Sequence, residues 1–408
     1  MKVAVVGGGL AGLAAALDLV DAGHEVTVLE ARPTLGGAVQ TLPEREGDPG
    51  PPPDNGQHIA LGCFTEYLRF LDRIGESGSY LRTRLGLPVL GTDGRFATIA
   101  PSLPALLRYS HLPLRDRSRL PATILRLRSA HSQPQETFGA LLRRLGETTR
   151  SIDRFWDVFI RPALNLPADE VDAEAGLFTV RTALLGPRAN SDLVLPAKPL
   201  GLMHGDAAGR ALGDRIRLEQ RVETLDQLDA DAVVLAVPPR ESARLLGEAE
   251  PALEDSPIVS VHLWFDQPIL DAPLAALLGT DAHWVFDRGR LLGHAPRAPG
   301  QYLTVVSSGV PELLEVRGRE LVERIAGQLT ERLGEAELLW SRVSREPYAT
   351  IALRPGVRRP GVETSHPNVA RAGAWTDTGW PATMESAIRS GRRAAQHILS
   401  GASARVTA

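Results

Sequence analysis

Gly7, Gly9 and Gly12 stand at G-x-G-x-x-G spacing where the apolar run Lys2–Val6 gives way to the apolar segment Leu10–Ala22. Each glycine meets a different need: a tight turn, room for backbone to approach a pyrophosphate, and close helix–strand packing. Leu10, Ala11 and Gly12 open the helix, whose unpaired amides and partial positive charge favour phosphate. Glu30 ends the next strand, Glu25–Leu29, 18 residues after Gly12, where a carboxylate can hold ribose hydroxyls. Strand, helix, second strand and acid occur together and in order, so a bound dinucleotide is expected. The glycines anchor a cofactor without naming a reaction.

Other residue types able to do chemistry lie further on. Asp54-Asn55-Gly56-Gln57-His58 places a tight Asn-Gly turn just before a histidine, the side chain that titrates near neutral pH. Asp377 lies in a glycine-containing run before the last apolar helix; it is either a proton-handling group or an Asx turn former. Cys63 is the only cysteine, so no internal disulfide can form; no neighbour would make it a thiolate, and it reads as a structural thiol. No metal site is expected.

The elements that must position these groups follow from pattern. The 408 residues, 43% hydrophobic and 23% charged, suffice for two domains with full cores. A net charge of −4 gives no overall reason to expect nucleic acid. Short apolar runs at Ile216–Val222, Ala232–Val237 and Val369–Ala372 rejoin the first sheet. Ser256–Phe265, Trp284–Phe286 and Tyr302–Ser307 alternate like strands of a second sheet, followed by one helix over Pro311–Leu333. Residues 96–200 are mostly helical, and the closing helix is expected over Pro381–Leu399 with Pro381 at its first position. The cofactor domain is therefore assembled from 1–95, 201–255 and 355–408, and the substrate domain from 96–200 and 256–354.

The N-terminus lacks a small-residue cleavage pattern, and its glycines and Asp18 disrupt any signal-like run. With one cysteine, a cytoplasmic setting is expected, with peripheral contact at the inner membrane face as a further possibility. That contact would run through 108–128, where six arginines interleave with leucines. All but Lys2 and Lys198 of the basic residues are arginine, so an ordinary solvated face explains the stretch equally well.

Glu30-Ala31-Arg32 followed by Gly36-Gly37-Ala38 resembles the FAD form of the dinucleotide motif. It is similar to the flavoprotein superfamily of amine oxidases, protoporphyrinogen oxidase and carotenoid desaturases. The resemblance implies an α/β fold: a Rossmann-like FAD-binding domain of the GR2 type with an inserted α+β substrate domain. The run Trp375 to Met384 resembles the superfamily's second flavin motif. It implies FAD contacts from Trp375, Trp380, Pro381, Ala382, Thr383 and Met384, with Val222 contributing from the returning strand. Two positions depart from the pattern: Ala374 replaces an Asp and Ala38 replaces an Arg.

Asp54 to Cys63, Asn165 to Glu170, Trp284 to Arg288 and Trp375 to Thr383 together resemble the bacterial hydroxysqualene dehydroxylases. That resemblance implies reductive removal of an allylic hydroxyl from hydroxysqualene, with hydride from flavin N5 quenching the cation left by loss of water. It also puts Gln57 and His58 beside the flavin ring. His58 is then either the acid or a histidine that only hydrogen-bonds flavin or backbone; Gln57 and Asn55 orient flavin or the leaving hydroxyl. A carotenoid-type desaturase or amine-oxidase-like enzyme would run the flavin in the opposite direction. A lipid-binding partner that has lost FAD is a third reading. The electron donor is not encoded by any second nucleotide fingerprint.

Overall fold

The computed structural model describes residues 1–293 and 299–406. Lys2–Val6 has four buried residues in succession, as a central strand requires. It is the middle of a five-stranded, all-parallel sheet ordered Val369–Arg371, Ala232–Leu235, Lys2–Val6, Glu25–Leu29 and Ile216–Arg217. Three separated parts of the chain thus converge on one sheet. The helix Leu10–Asp21 packs against the C-terminal helix Met384–Val406. A Cβ on Gly391 would lie 2.0 Å from the Ala11 carbonyl oxygen, so only glycine permits that approach.

The second sheet has seven strands: Leu338–Ile351, Asp255–Phe265, Gln301–Ser308, Trp284–Asp287, Leu274–Leu277, Leu87–Leu90 and Phe96–Ile99. Its two faces differ. Val259, Val261, Leu263, Leu303 and Val305 pack under the helix Gly318–Leu333 as a purely apolar layer. The opposite face carries Ser260, His262 and Trp264 beside Thr304, Tyr302, Ser344 and Arg342. Short helices from 103–183 cover the far end of that face, where Trp284, Phe286 and Val306 join their core. A small sheet of Ala60–Leu61, Leu193–Pro196 and Tyr80–Thr83 connects the two larger units.

Several expected boundaries move. Leu87–Leu90 pairs with Leu274–Leu277, so a strand ahead of the expected boundary at residue 95 belongs to the second sheet. The strand expected over Ile216–Val222 stops at Arg217 because Glu219 takes a left-handed φ of 55°. Beyond it the chain follows Glu30 and Arg32, donating Gln220 N–H to the Glu30 carbonyl at 2.9 Å. Pro311–Leu333 is two helices, Pro311–Leu314 and Gly318–Leu333, the second starting at a residue of poor helix propensity. The closing helix begins at Met384, three residues later than expected. Thr383 caps it, its hydroxyl accepting from Ser386 N–H at 3.4 Å, while Pro381 stays in the preceding turn.

Candidate flavin site

The N-terminal loop is shaped by contacts that exclude side chains. Gly7 has φ 108°, and a Cβ there would sit 2.3 Å from the Ala236 oxygen; one on Gly12 would sit 1.9 Å from the Gly7 oxygen. Gly9 differs: its nearest neighbour would be Gly37 Cα at 3.7 Å, so its outer side is open. No side chain caps the helix at Gly9 and no acid occupies its first turn. The amides of Leu10, Ala11 and Gly12 therefore begin a helix suited to a phosphate. Gly36 N–H donates to the Gly8 oxygen at 2.8 Å, which brings Gly36 and Gly37 onto the same loop. Glu30 accepts from Gly8 N–H at 2.7 Å and Arg32 N–H at 2.8 Å, which orients its carboxylate and leaves acceptor positions for a ribose. Ala31 lies between these anchors. Open space beside Gly9, uncapped amides and an oriented acid fit the pyrophosphate and ribose of a dinucleotide.

The segment Asp54–His58 divides its work sharply. Asp54 forms a fully buried ion pair with Arg288 at 2.6 Å and also accepts from Thr41 Oγ1 and Leu200 N–H. Asn55 donates to the Ala38 carbonyl at 2.8 Å, which fastens the segment to the second glycine motif. Gly56 crosses strand Asp255–Phe265 so closely that a Cβ would be 3.0 Å from Ser260 Oγ. These three residues use their polar groups on the protein itself. Gln57, half-buried, has no side-chain hydrogen bond among the described residues.

His58 Nδ1 lies 3.1 Å from the Gly56 carbonyl, and since a carbonyl only accepts, Nδ1 carries the proton. Desolvation lowers the pKa of His58, with the Gly56 carbonyl and Asp54 opposing. The resting ring is then neutral and presents Nε2 as an acceptor. It can give a proton only after taking one.

The polar face of the seven-stranded sheet was not singled out from sequence. Ser260 Oγ and Arg342 Nε are buried without a hydrogen bond among the described residues, while His262 faces the Asp54 backbone and Tyr302 the Arg288 guanidinium. His262 is held by Thr304 at 3.0 Å; burial, then Arg288 and Arg342, push its pKa down to about 3. Glu346, on the same sheet, has its carboxyl pKa raised by desolvation against the opposing pull of Asn55 and Arg32. Period-two alternation could have marked this face, but every second residue of a β-strand looks alike until its neighbours are known.

At the opposite end, Trp375 donates its indole N–H to the Val237 carbonyl at 3.0 Å and packs in the core. Trp380 makes edge contacts with Phe64 and Phe178 and lies under the Arg389 guanidinium, 4.8 Å from Cζ to ring centre. Both fix the turn. Ala382, whose carbonyl accepts from Thr350 Oγ1, and half-buried Thr383 and Met384 stand at the helix N-terminus. Asp377 has the turn-forming geometry: its carboxylate accepts from Gly379 N–H at 3.0 Å and is 61% exposed beside Arg359. It is thus an exposed, ion-paired Asx residue, the geometry of the turn-forming alternative. Val222 is buried with its carbonyl taken by Arg244, in the segment that follows Glu30 and Arg32. Cys63 is buried, and desolvation raises its thiol to about 12, as a structural thiol requires.

A parallel βαβ sheet with a glycine cradle, joined to a mainly antiparallel sheet with one polar face, is the architecture of a flavin-dependent oxidoreductase. The chain belongs to the flavin containing amine oxidoreductase family, whose model matches residues 10–399, and within it to the hydroxysqualene dehydroxylases. It is 31% identical to the hydroxysqualene dehydroxylase of Rhodopseudomonas palustris, over 97% of this chain and 98% of that one. It is 25% identical to a chloroplastic/chromoplastic zeta-carotene desaturase of Zea mays, over 98% of this chain and 83% of that one. Among solved structures, putrescine oxidase bound to putrescine superposes with a TM-score of 0.73 at 18% identity, covering 98% of this chain and 99% of that one. That likeness concerns the fold.

Proposed function

We propose that the protein is an FAD enzyme that converts hydroxysqualene to squalene: hydroxysqualene plus reduced FAD gives squalene, water and oxidised FAD. The observation that carries this reading is the near-full-length similarity to a hydroxysqualene dehydroxylase at 31% identity. When bound, reduced FAD supplies the hydride that takes the place of the hydroxyl. The chain's own residues do the rest. Gly7 to Gly12 and Glu30 hold the dinucleotide, and Gly36, Gly37 and Ala38 continue that contact. Asp54 and Asn55 fix the ring-side segment in place.

Gln57, the residue of that segment with an unengaged amide, orients the leaving hydroxyl. A proton must reach the hydroxyl oxygen as the C–O bond breaks, since hydroxide is a poor leaving group. We assign that delivery to His58 or Glu346, the titratable groups beside the ring-side segment. Burial makes the His58 imidazolium a stronger acid than an ordinary one, though a scarcer one at neutral pH, and keeps the Glu346 carboxyl protonated to higher pH. Trp284, Phe286 and Val306 supply an apolar surface that suits a long isoprenoid and limits water near an allylic cation.

The zeta-carotene desaturase similarity favours one second reading, dehydrogenation of a polyene with electrons flowing from substrate to flavin. Anaerobic mixing separates the two. Reduced enzyme reoxidised by hydroxysqualene, with squalene formed in equal amount, supports the proposal. Inertness toward hydroxysqualene, with oxidised enzyme bleached by a carotene precursor, replaces it with the second reading.

A further inference from the structure

The three short helices Leu103–Arg108, Leu114–Arg117 and Leu120–Leu127 pack on one another and carry two kinds of leucine. Leu106, Leu112, Leu120 and Leu127 point inward to the same core that contains Trp284 and Phe286. Leu103, Leu107, Leu114 and Leu125 point outward, with Leu114 72% and Leu125 65% exposed. Elsewhere such exposure falls on isolated residues such as Leu81, Leu202, Leu339 and Tyr348, whereas here four leucines share three adjacent helices, and Phe96, next to the first of these helices, adds to them. The outward leucines are a concentrated feature.

Charge around them is one-sided. Residues 103–128 contain six arginines and a single acid, Asp116, in a protein whose net charge is −4. Asp116 is buried and accepts from Thr148 Oγ1, so it does not neutralise the outer face. Arg108, Arg115 and Arg128 form no ion pair or side-chain hydrogen bond among the described residues, and none of the six arginines pairs with a carboxylate. Coding bias toward arginine explains why the cations are arginines. It does not explain why their neighbours are exposed leucines or why the only acid is turned inward.

We propose that this surface docks on an anionic lipid bilayer, leucines entering the headgroup–acyl boundary and arginines meeting lipid phosphates. A bilayer fits better than a second copy of the chain: a twofold contact would press this cationic face against itself. The protein need not span the membrane, and no helix among the described residues is long and apolar enough to do so. The docked helices are those whose inner leucines pack into the core that contains Trp284 and Phe286, which holds them as a unit on the body of the protein. The inference does not depend on which isoprenoid the enzyme uses.

Co-sedimentation of the flavin-loaded full chain tests it, using phosphatidylglycerol–phosphatidylcholine vesicles and pure phosphatidylcholine vesicles at low salt. Binding to the anionic vesicles is expected, weakening with salt. R108Q/R115Q/R128Q should lower the partition coefficient by about fivefold per arginine. L114S/L125S should lower it about tenfold or more, since apolar insertion scales with buried area. Both variants change exposed side chains and should keep the parent's flavin content and melting temperature. No binding to anionic vesicles, or binding that neither variant alters, overturns the proposal. So does a parent that sediments as a dimer while L114S/L125S sediments as a monomer, which would make the patch a subunit interface.

Discussion

The glycine cradle and the polar face of the seven-stranded sheet meet at one site but are built by opposite means. In the cradle, function follows from missing atoms: Gly7 and Gly12 are defined by the 2.3 Å and 1.9 Å clashes that any Cβ would cause. On the sheet, function follows from side chains that are present, buried and paired over long sequence distances, such as Asp54 with Arg288. A missing atom leaves a local sequence signature. A pair separated by more than two hundred residues leaves none. The difference also makes the two regions fail differently when altered.

The largest effect should come from the buried pair. R288M leaves the Asp54 carboxylate without its partner in a dry site, and urea unfolding should show a loss of about 3–5 kcal/mol. The double variant D54N/R288M should recover much of it, because no lone charge remains. If R288M alone is neutral, Asp54 is not the anchor of the ring-side segment.

Gly12→Ala comes next. Overpacking of this kind costs about 1–3 kcal/mol, and here it also displaces the phosphate-binding turn. The purified variant should have a lower flavin-to-protein absorbance ratio, whereas G9A, whose Cβ meets nothing closer than 3.7 Å, should fold normally and differ only in flavin affinity.

The sheet face should also respond to acid. His262 has a folded pKa of about 3, depressed by burial below the unfolded value near 6.5. The unfolded chain therefore binds more protons as pH falls from about 6.5, and stability drops until the folded pKa is reached. H262Q should reduce that slope by up to about 1.4 kcal/mol per pH unit, measured by urea unfolding between pH 6.5 and 4. An unchanged slope would mean that His262 is not buried as a neutral ring. The smallest effect belongs to Asp377: D377N should shift stability by less than about 0.5 kcal/mol and leave turnover intact, as for an exposed turn residue.

Much of the cofactor domain was legible because its signals are local. Lys2–Val6, Leu10–Asp21 and Glu25–Leu29 fall where alternation, glycine spacing and helix periodicity place them. Local reasoning went astray where a tertiary contact decided the outcome. Pro381 is a good first helical residue in isolation, yet the Thr383 cap starts the helix at Met384. Leu87–Leu90 gives no hint in its own residues that Leu274–Leu277 is its partner. Gln57 and His58 were visible as candidate residues, but only the structure separates them from Asp54 and Asn55, whose polar groups are taken up by the protein. Glu346 was invisible, since a carboxylate on a long strand near the C-terminus looks like any solvated acid until Asn55 and Arg32 are placed beside it.

The central claim is that the cradle holds the flavin while Gln57 and His58 serve the reaction, and Q57A/H58Q tests it most directly. Flavin content and the rate at which hydroxysqualene reoxidises the reduced variant should be measured on one sample. The expected result is near-stoichiometric flavin with reoxidation slowed by a factor on the order of a hundred or more, the usual scale for losing a proton-handling group. Flavin lost in proportion to activity, with the remaining loaded molecules reacting at the parent rate, would contradict it.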